Sequence, residues 1–247
     1  MFFYKDKDED QEQTGQVNGI VTDGLELHLD AGDTNSYPGS GSIWYDLSNN
    51  QFQAEMVGSV EYTNTIGGGE FGNFISSATY FSIPHDEKLA PTQQITIGAW
   101  IYASDWSSFT GHGKIISKAQ YGGWTLDANS TFVEFTCMTD STKTSYAVIT
   151  NPPPSSGWHH VICTYDGSSL KTFIDTIETA SGTSSGNIVY TNSNSLIIGS
   201  EAGSTTTPES GYGGFRGNIA GITLYNKALS IVEIQQNFDA KKSRFGL

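Results

Sequence analysis

Gly157-Trp-His-His-Val-Ile-Cys-Thr-Tyr-Asp-Gly-Ser-Ser-Leu-Lys-Thr-Phe-Ile-Asp175 reads as a β-hairpin. A run rich in aromatic and β-branched residues, Trp158 to Tyr165, meets a turn at Asp166-Gly167, and a second apolar run follows from Leu170 to Ile174. Asp-Gly suits a hairpin because such turns need positive φ, which Gly adopts without steric cost and Asp tolerates. Trp158, His160 and Ile162 alternate with Val161, Cys163 and Tyr165, so both faces of the first strand carry bulk. A strand apolar on both faces belongs inside a sheet and under cover.

Working outward, similar strands recur at short intervals with turn residues between them. Upstream lie Leu25–Asp30, Ala54–Val57, Tyr80–Ile83, Ile95–Tyr102, Lys114–Lys118, Tyr121–Leu126, Thr131–Met138 and Tyr146–Ile149. Downstream are Leu196–Gly199 and Phe215–Tyr225. That pattern predicts an all-β jelly-roll sandwich of two antiparallel sheets. One short C-terminal helix closes the chain. Ser230 with Glu233 spells a capping box, Leu229 with Ile234 a hydrophobic staple, and Ile231, Ile234 and Phe238 are expected to share its buried face.

The chain has 247 residues, which suits a single β-sandwich of ~200–250 residues. Residues 20–247 are expected to form the sandwich and residues 1–19 an acidic N-terminal arm, with five acidic and two basic residues between Lys5 and Glu12. Phe2, Phe3 and Tyr4 at its tip are candidates for an aromatic docking plug. A formal net charge of −14 argues against nucleic-acid or anionic-membrane binding, because phosphate neutralisation needs Lys and Arg. No stretch reads as a secretory signal or a membrane span, so synthesis in the cytoplasm is expected. Cys137 and Cys163 alternate in phase with apolar neighbours and are expected to be buried free thiols.

Candidate chemistry is sparse. Glu26, His28 and Asp30 share one face of the first strand, but a strand spaces them ~6.5–7 Å apart, and a solvated face is the expectation. Asp30, Asp33 and Asn35 supply hard oxygens of the kind Ca²⁺ prefers, although side-chain-to-backbone turns account for the same residues. The expectation is therefore no cofactor, with Ca²⁺ at Asp30, Asp33 and Asn35 as the alternative. Trp106, Phe109, Tyr121, Trp124 and Tyr212 are candidate aromatic platforms for a ligand, each also explicable as core.

Four pieces in order carry a resemblance: Ile97-Gly98-Ala99-Trp100; Ile115-Ile116-Ser117-Lys118; Trp158-His159-His160-Val161 with Tyr165-Asp166-Gly167; and Phe215-Arg216-Gly217-Asn218-Ile219 running into Leu224-Tyr225-Asn226-Lys227-Ala228-Leu229-Ser230. Together they resemble the laminin-G-like branch of the concanavalin A-like lectin/glucanase superfamily, which implies the two-sheet jelly roll. The chain departs from the family pattern at Asp175-Thr176, where relatives usually have Asp-Gly, and at Ala220, where an Asp is frequent.

A narrower resemblance sits at the ends. Leu27-x-Leu29-Asp30-Ala31-Gly32, Ser36-Tyr37-Pro38-Gly39-Ser40-Gly41, Trp44-x-Asp46-Leu47-Ser48, Gln236-Asn237-Phe238 and Arg244-Phe245-Gly246 are together similar to virion-associated proteins of tailed bacteriophages. That implies a non-enzymatic virion structural protein, a head decoration or fibre component. It would be displayed on the virion surface, bound to capsid or tail proteins through the arm, and able to take host-surface polysaccharide. The alternative is a free carbohydrate-binding module of a cellular protein. Glucanases of the superfamily resemble one another in a strand bearing Glu-x-Asp-x-Glu, whereas the nearest strand here offers Glu134 with Thr136 and Met138. Retaining hydrolysis needs two carboxylates about 5–5.5 Å apart, so no enzyme is expected.

Overall fold

A computed structural model of the chain describes residues 19–64, 69–72, 74, 79–108, 112–118, 122–140, 145–151, 153–201 and 214–247. Its strands are β1 (Leu25–Asp30), β2 (Ile43–Tyr45), β3 (Gln53–Val57), β4 (Glu61–Thr63), β5 (Glu70–Gly72), β6 (Tyr80–Ile83), β7 (Ile95–Ala103) and β8 (Gly113–Ser117). They continue with β9 (Trp124–Ala128), β10 (Val133–Met138), β11 (Ser145–Thr150), β12 (Gly157–Tyr165), β13 (Ser169–Ile174), β14 (Ile177–Thr183), β15 (Leu196–Ile198) and β16 (Asn218–Tyr225). Helix α1 (Ile231–Asp239) follows. The strands form two antiparallel eight-stranded sheets, as the alternation predicts. The first runs β14-β13-β12-β7-β16-β5-β4, with β1 also on β16; the second runs β11-β10-β9-β8-β15-β6-β3-β2.

The hairpin that decides the fold sits where its two apolar faces require. Strand β12 lies between β13 and β7, with Val161 opposite Ala99, Cys163 opposite Ile97 and Tyr165 opposite Ile95. These residues face the core between the sheets, together with Trp124, Leu126, Val133 and Phe135 of the second sheet. The other face carries Trp158, His160 and Ile162, which α1 and the C-terminal tail cover. His160 stacks on Trp100 at 4.6 Å between ring centres, and Phe245 stacks on the same indole at 4.2 Å. Both cysteines are buried and free, and burial pushes each thiol up to about 12.

Two turns hold the hairpin and its successor. The Asp166 carboxylate accepts hydrogen bonds from the backbone N–H groups of Ser168 and Ser169, and Gly167 takes φ +95°. Asp175 and Thr176 both take positive φ, 48° and 74°, and make the two-residue turn into β14 without the glycine that relatives use. A β-branched residue is strained there, at a cost of about 1–3 kcal/mol. Asp175 compensates through its carboxylate, which accepts from His159 Nδ1 at 2.6 Å and from the backbone N–H of His160 at 2.8 Å.

The helix has the expected capping box and staple, but its buried face differs from the expected one. Ile234 and Asn237 are buried and Phe238 packs against the Trp100 cluster, whereas Ile231 is 53% exposed. The reason is that the chain between Gly19 and Val21 lies against α1 and selects Asn237. Asn237 Oδ1 accepts from Val21 N–H at 2.8 Å, its Nδ2 donates to the Tyr225 hydroxyl at 3.0 Å, and that hydroxyl donates to Val21 C=O at 3.1 Å.

The first strand is less wet than its alternation suggests. Asp30 is buried and ion-paired with Lys241 at 2.7 Å and with Arg244. Glu26 accepts from Asn50 and Asn226 side chains at 2.7 and 2.6 Å, and burial lowers the His28 imidazole despite the carboxylates around it. Gly32 is needed beside the clamp, because a Cβ there would lie 2.5 Å from the Arg244 guanidinium carbon. Asp46 fixes the following corner, accepting from the backbone N–H groups of His28 and Ser48 at 2.8 Å each.

Candidate ligand-binding site

An open cleft of about 440 Å³ lies at one rim of the sandwich, between the end of β6 and the segment that leads into β15. That volume falls in the ~300–1,000 Å³ range of small-molecule sites. Its floor is apolar, made by Ala90 and Ile188, and its walls are His85, Glu87, Tyr190, Thr191, Asn192 and Ser193. Folding brings them together because Ile188 N–H donates to Thr92 C=O at 2.6 Å and the Tyr190 hydroxyl donates to Pro91 C=O at 2.9 Å. Gly123, at φ +70°, passes beneath the Tyr190 ring, where a Cβ would stand 3.0 Å from the ring and 2.1 Å from Lys118 C=O.

A polar relay lines one wall. The buried Lys118 ammonium donates to His85 Nδ1 at 2.9 Å and to the backbone carbonyl of Asn194. An ammonium has only donors, so His85 Nδ1 is the acceptor and Nε2 carries the proton, 3.4 Å from Glu87 Oε1. Burial brings the Lys118 amine down to about 8, against the raising influence of Glu87 and Asp86. Thr191, Asn192 and Ser193 are exposed at the mouth, where Asn192 Oδ1 accepts from Asn194 N–H at 3.1 Å and its Nδ2 stands 3.4 Å from Thr191 Oγ1, beside the half-buried Tyr190. Such a mixture, one aromatic surface with several neutral polar groups, matches a polyhydroxylated ligand.

A second cluster occupies the outer face of the second sheet. Lys114 of β8, Asp127 of β9 and Glu134 of β10 are cross-strand neighbours, since Asp127 pairs with both of the others in register. His112, just before β8, places Nδ1 2.6 Å from Asp127 Oδ2 and 3.5 Å from Glu134 Oε2. The Lys114 ammonium is 3.4 Å from Asp127 Oδ2 and 3.9 Å from Glu201 Oε1. The hydrogen bond that His112 donates to Asp127 raises its imidazole, and burial, then the Asp127 charge, raises Glu134. Along β10 Glu134 has no carboxylate partner; that partner, Asp127, stands opposite it on β9.

The sequence-predicted residues fare differently. Trp124 is fully buried among core side chains, and Trp106 is 8% exposed with its indole N–H donating to Ser155 C=O at 3.3 Å, so neither offers a ring face as a platform. Phe109, Tyr121 and Tyr212 lie outside the described residues, as do Phe2, Phe3 and Tyr4. Asp30, Asp33 and Asn35 do not converge. Asp30 turns to Lys241 and Arg244, while Asp33 Oδ1 closes on Asn35 N–H and Nδ2 at 2.9 and 3.0 Å. A carboxylate flanked by two cations is a poor Ca²⁺ ligand. Nothing in the sequence marks His85, Tyr190 and Asn192 as partners; the one signal is the polar run from Thr191 to Ser195.

Solved structures with this fold include the binding domain of Paraclostridial Mosquitocidal Protein 1, with TM-score 0.67 and 15% identity over 88% of this chain and 52% of that one. The receptor binding domain of botulinum neurotoxin C/D mosaic serotype follows, with TM-score 0.66 and 16% identity over 90% of this chain and 52% of that one. The ligand binding domain of botulinum neurotoxin serotype D, solved in complex with N-acetylneuraminic acid, has TM-score 0.64 and 15% identity over 90% and 52% of the two chains. The chain thus spans about half the length of these binding domains. No curated protein matches it. A laminin-G-type family model described as concanavalin A-like lectin/glucanases superfamily matches residues 76–235, from before β6 into α1, and the chain belongs to that superfamily.

Proposed function

We propose that the chain is a non-enzymatic carbohydrate-binding sandwich that holds an oligosaccharide in the cleft between His85 and Ser193. The observation that carries this reading is the cleft itself: an apolar floor, a Tyr190 ring and a rim of Thr191, Asn192 and Ser193. Membership of a lectin-type superfamily supports it, and a structure of similar fold was solved with N-acetylneuraminic acid. The second cluster does not favour hydrolysis. Asp127 is fully buried and engaged by His112 and Lys114, so its carboxylate is withdrawn from an anomeric carbon.

The carrier proposed from the sequence is a virion of a tailed bacteriophage, with residues 1–19 as docking arm and capsid or tail proteins as partners. The resemblance at the chain ends supports it, and two of those end segments meet in the Asp30–Arg244 pair. The protein would then be made in the host cytoplasm and displayed on the particle. Titration of the purified protein against neutral and sialylated oligosaccharides, with His85→Ala and Asn192→Ala variants alongside, tests the cleft. Binding weakened about tenfold in each variant, the ~1.4 kcal/mol of one or two lost hydrogen bonds, is expected. No binding at millimolar sugar sinks the lectin reading. Deletion of residues 1–19 with undiminished particle association sinks the docking arm.

A further inference from the structure

His112, Asp127 and Glu134 bring one imidazole nitrogen and two carboxylate oxygens within 4.8 Å of one another. A tetrahedral ion with bonds of ~2.0–2.2 Å holds its ligand atoms ~3.3–3.5 Å apart. The 3.5 Å from His112 Nδ1 to Glu134 Oε2 matches that spacing, and the 2.6 Å from Nδ1 to Asp127 Oδ2 falls short of it. The shorter one is a hydrogen bond, and exchanging its proton for a metal requires the two groups to part by less than about 1 Å.

A second observation points the same way. Asp127 is fully buried, and its Oδ1 has no hydrogen-bond partner among the described residues, although Oδ2 meets both His112 and Lys114. An ionised carboxylate with an unused buried oxygen is costly to desolvate. A cation held through both oxygens of this carboxylate removes that cost. Charge also fits: Asp127 and Glu134 both stand beside His112, so the three ligand groups carry two negative charges when the imidazole is neutral.

We propose that His112, Asp127 and Glu134 form a divalent transition-metal site of the Zn²⁺ class on the outer face of the second sheet. The mixed nitrogen and oxygen donor set selects Zn²⁺, Co²⁺ or Ni²⁺ over Ca²⁺, which takes six to eight oxygens. Three protein ligands leave a fourth position to a water or to an oxygen of a bound molecule. The site does not depend on the sugar reading, since none of its ligands lines the cleft.

Full-length protein, stripped with chelator, is titrated calorimetrically with Zn²⁺ and spectroscopically with Co²⁺. One equivalent of Zn²⁺ and a Co²⁺ absorption band of four-coordinate intensity are expected. His112→Ala and Glu134→Gln should each weaken binding at least tenfold, while His85→Ala in the cleft should leave it unchanged. The His112 side chain is 42% exposed, so its removal spares the core, and an unaltered circular dichroism spectrum certifies each variant as folded. Absence of Zn²⁺ binding by the folded parent overturns the proposal. So does binding that survives both ligand substitutions, or Ca²⁺ binding tighter than Zn²⁺ binding.

Discussion

Replacement of Asp30 by Asn tests the clamp that joins the first strand to the C-terminal tail. The Asp30 side chain is 5% exposed, Arg244 13% and Lys241 29%. Asparagine keeps the size and the bond from Gly32 N–H, 2.9 Å in the parent, but removes the charge that both cations face. Breaking a buried ion pair by neutralising one partner costs about 3–5 kcal/mol, because the other charge stays behind without compensation. Lys241 is exposed enough to swing into water, whereas Arg244 is enclosed, so about 3 kcal/mol is the expected loss. With a urea slope near ~3 kcal/mol/M for a chain of this size, the midpoint should fall by about 1 M, read from tryptophan fluorescence. The gap should also depend on pH. Burial raises the Asp30 carboxyl, but Arg244 and Lys241 outweigh it and hold it below the usual range. A folded-state pKa below the unfolded one gives stability that is complete above the unfolded value of ~3.9 and lost as pH falls through the folded value. Parent and variant should therefore differ by a constant amount from pH 7 to about 5 and converge below ~3.9. A midpoint shift under about 0.3 M at pH 7, or a gap that does not shrink as pH falls below ~3.9, refutes the reasoning.

Two other outcomes are expected. Thr176→Gly should raise stability by about 1 kcal/mol, seen as a higher thermal midpoint, because Gly relieves the positive φ; an unchanged or lower midpoint would show that Thr176 is not strained. His159 and His160 should titrate in opposite directions when followed by NMR: burial brings His160 down to about 4, while for His159 burial is outweighed by the hydrogen bond and charge of Asp175 together with the Ser155 carbonyl, and the imidazole is raised. Hence His160 subtracts stability as pH falls from ~6.5 toward about 4, whereas the His159 contribution is complete below ~6.5 and fades as pH climbs through its raised value. Two imidazoles titrating together near ~6.5 would contradict both environments.

The sandwich is legible wherever a strand has an apolar side. Strand β12 announces itself through residues on both faces, and the structure places it inside a sheet with both faces covered. Strand β14 escapes notice because Ile177 to Thr183 lies at a sheet edge with most residues exposed, so no hydrophobic alternation marks it. Strands β4 and β5 are hidden by their three-residue length. Ile231 misleads the helix phase, since apolar spacing alone does not say which residue meets the chain at Val21. Trp124 looks like a platform because an aromatic on a strand reads the same whether it faces the core or a ligand. The candidate sites are the least legible part. His85 and Tyr190 belong to segments far apart in the chain, and Asp127 meets Glu134 only through cross-strand register. Such juxtapositions are made by topology and leave no local pattern.

The Asp30–Arg244 clamp spans 214 positions of sequence, and the Val21–Asn237 bond spans 216. Strand β1 likewise waits for β16, its pairing partner. At roughly 5–20 residues per second on a ribosome, the first strand is idle for about 10–40 s before its partner exists. During that interval the leucines at 25, 27 and 29 have no native sheet to join, and a holdase that recognises short apolar segments has time to act. Completion of the first sheet thus waits for the synthesis of β16, whatever the order in which the other strands form.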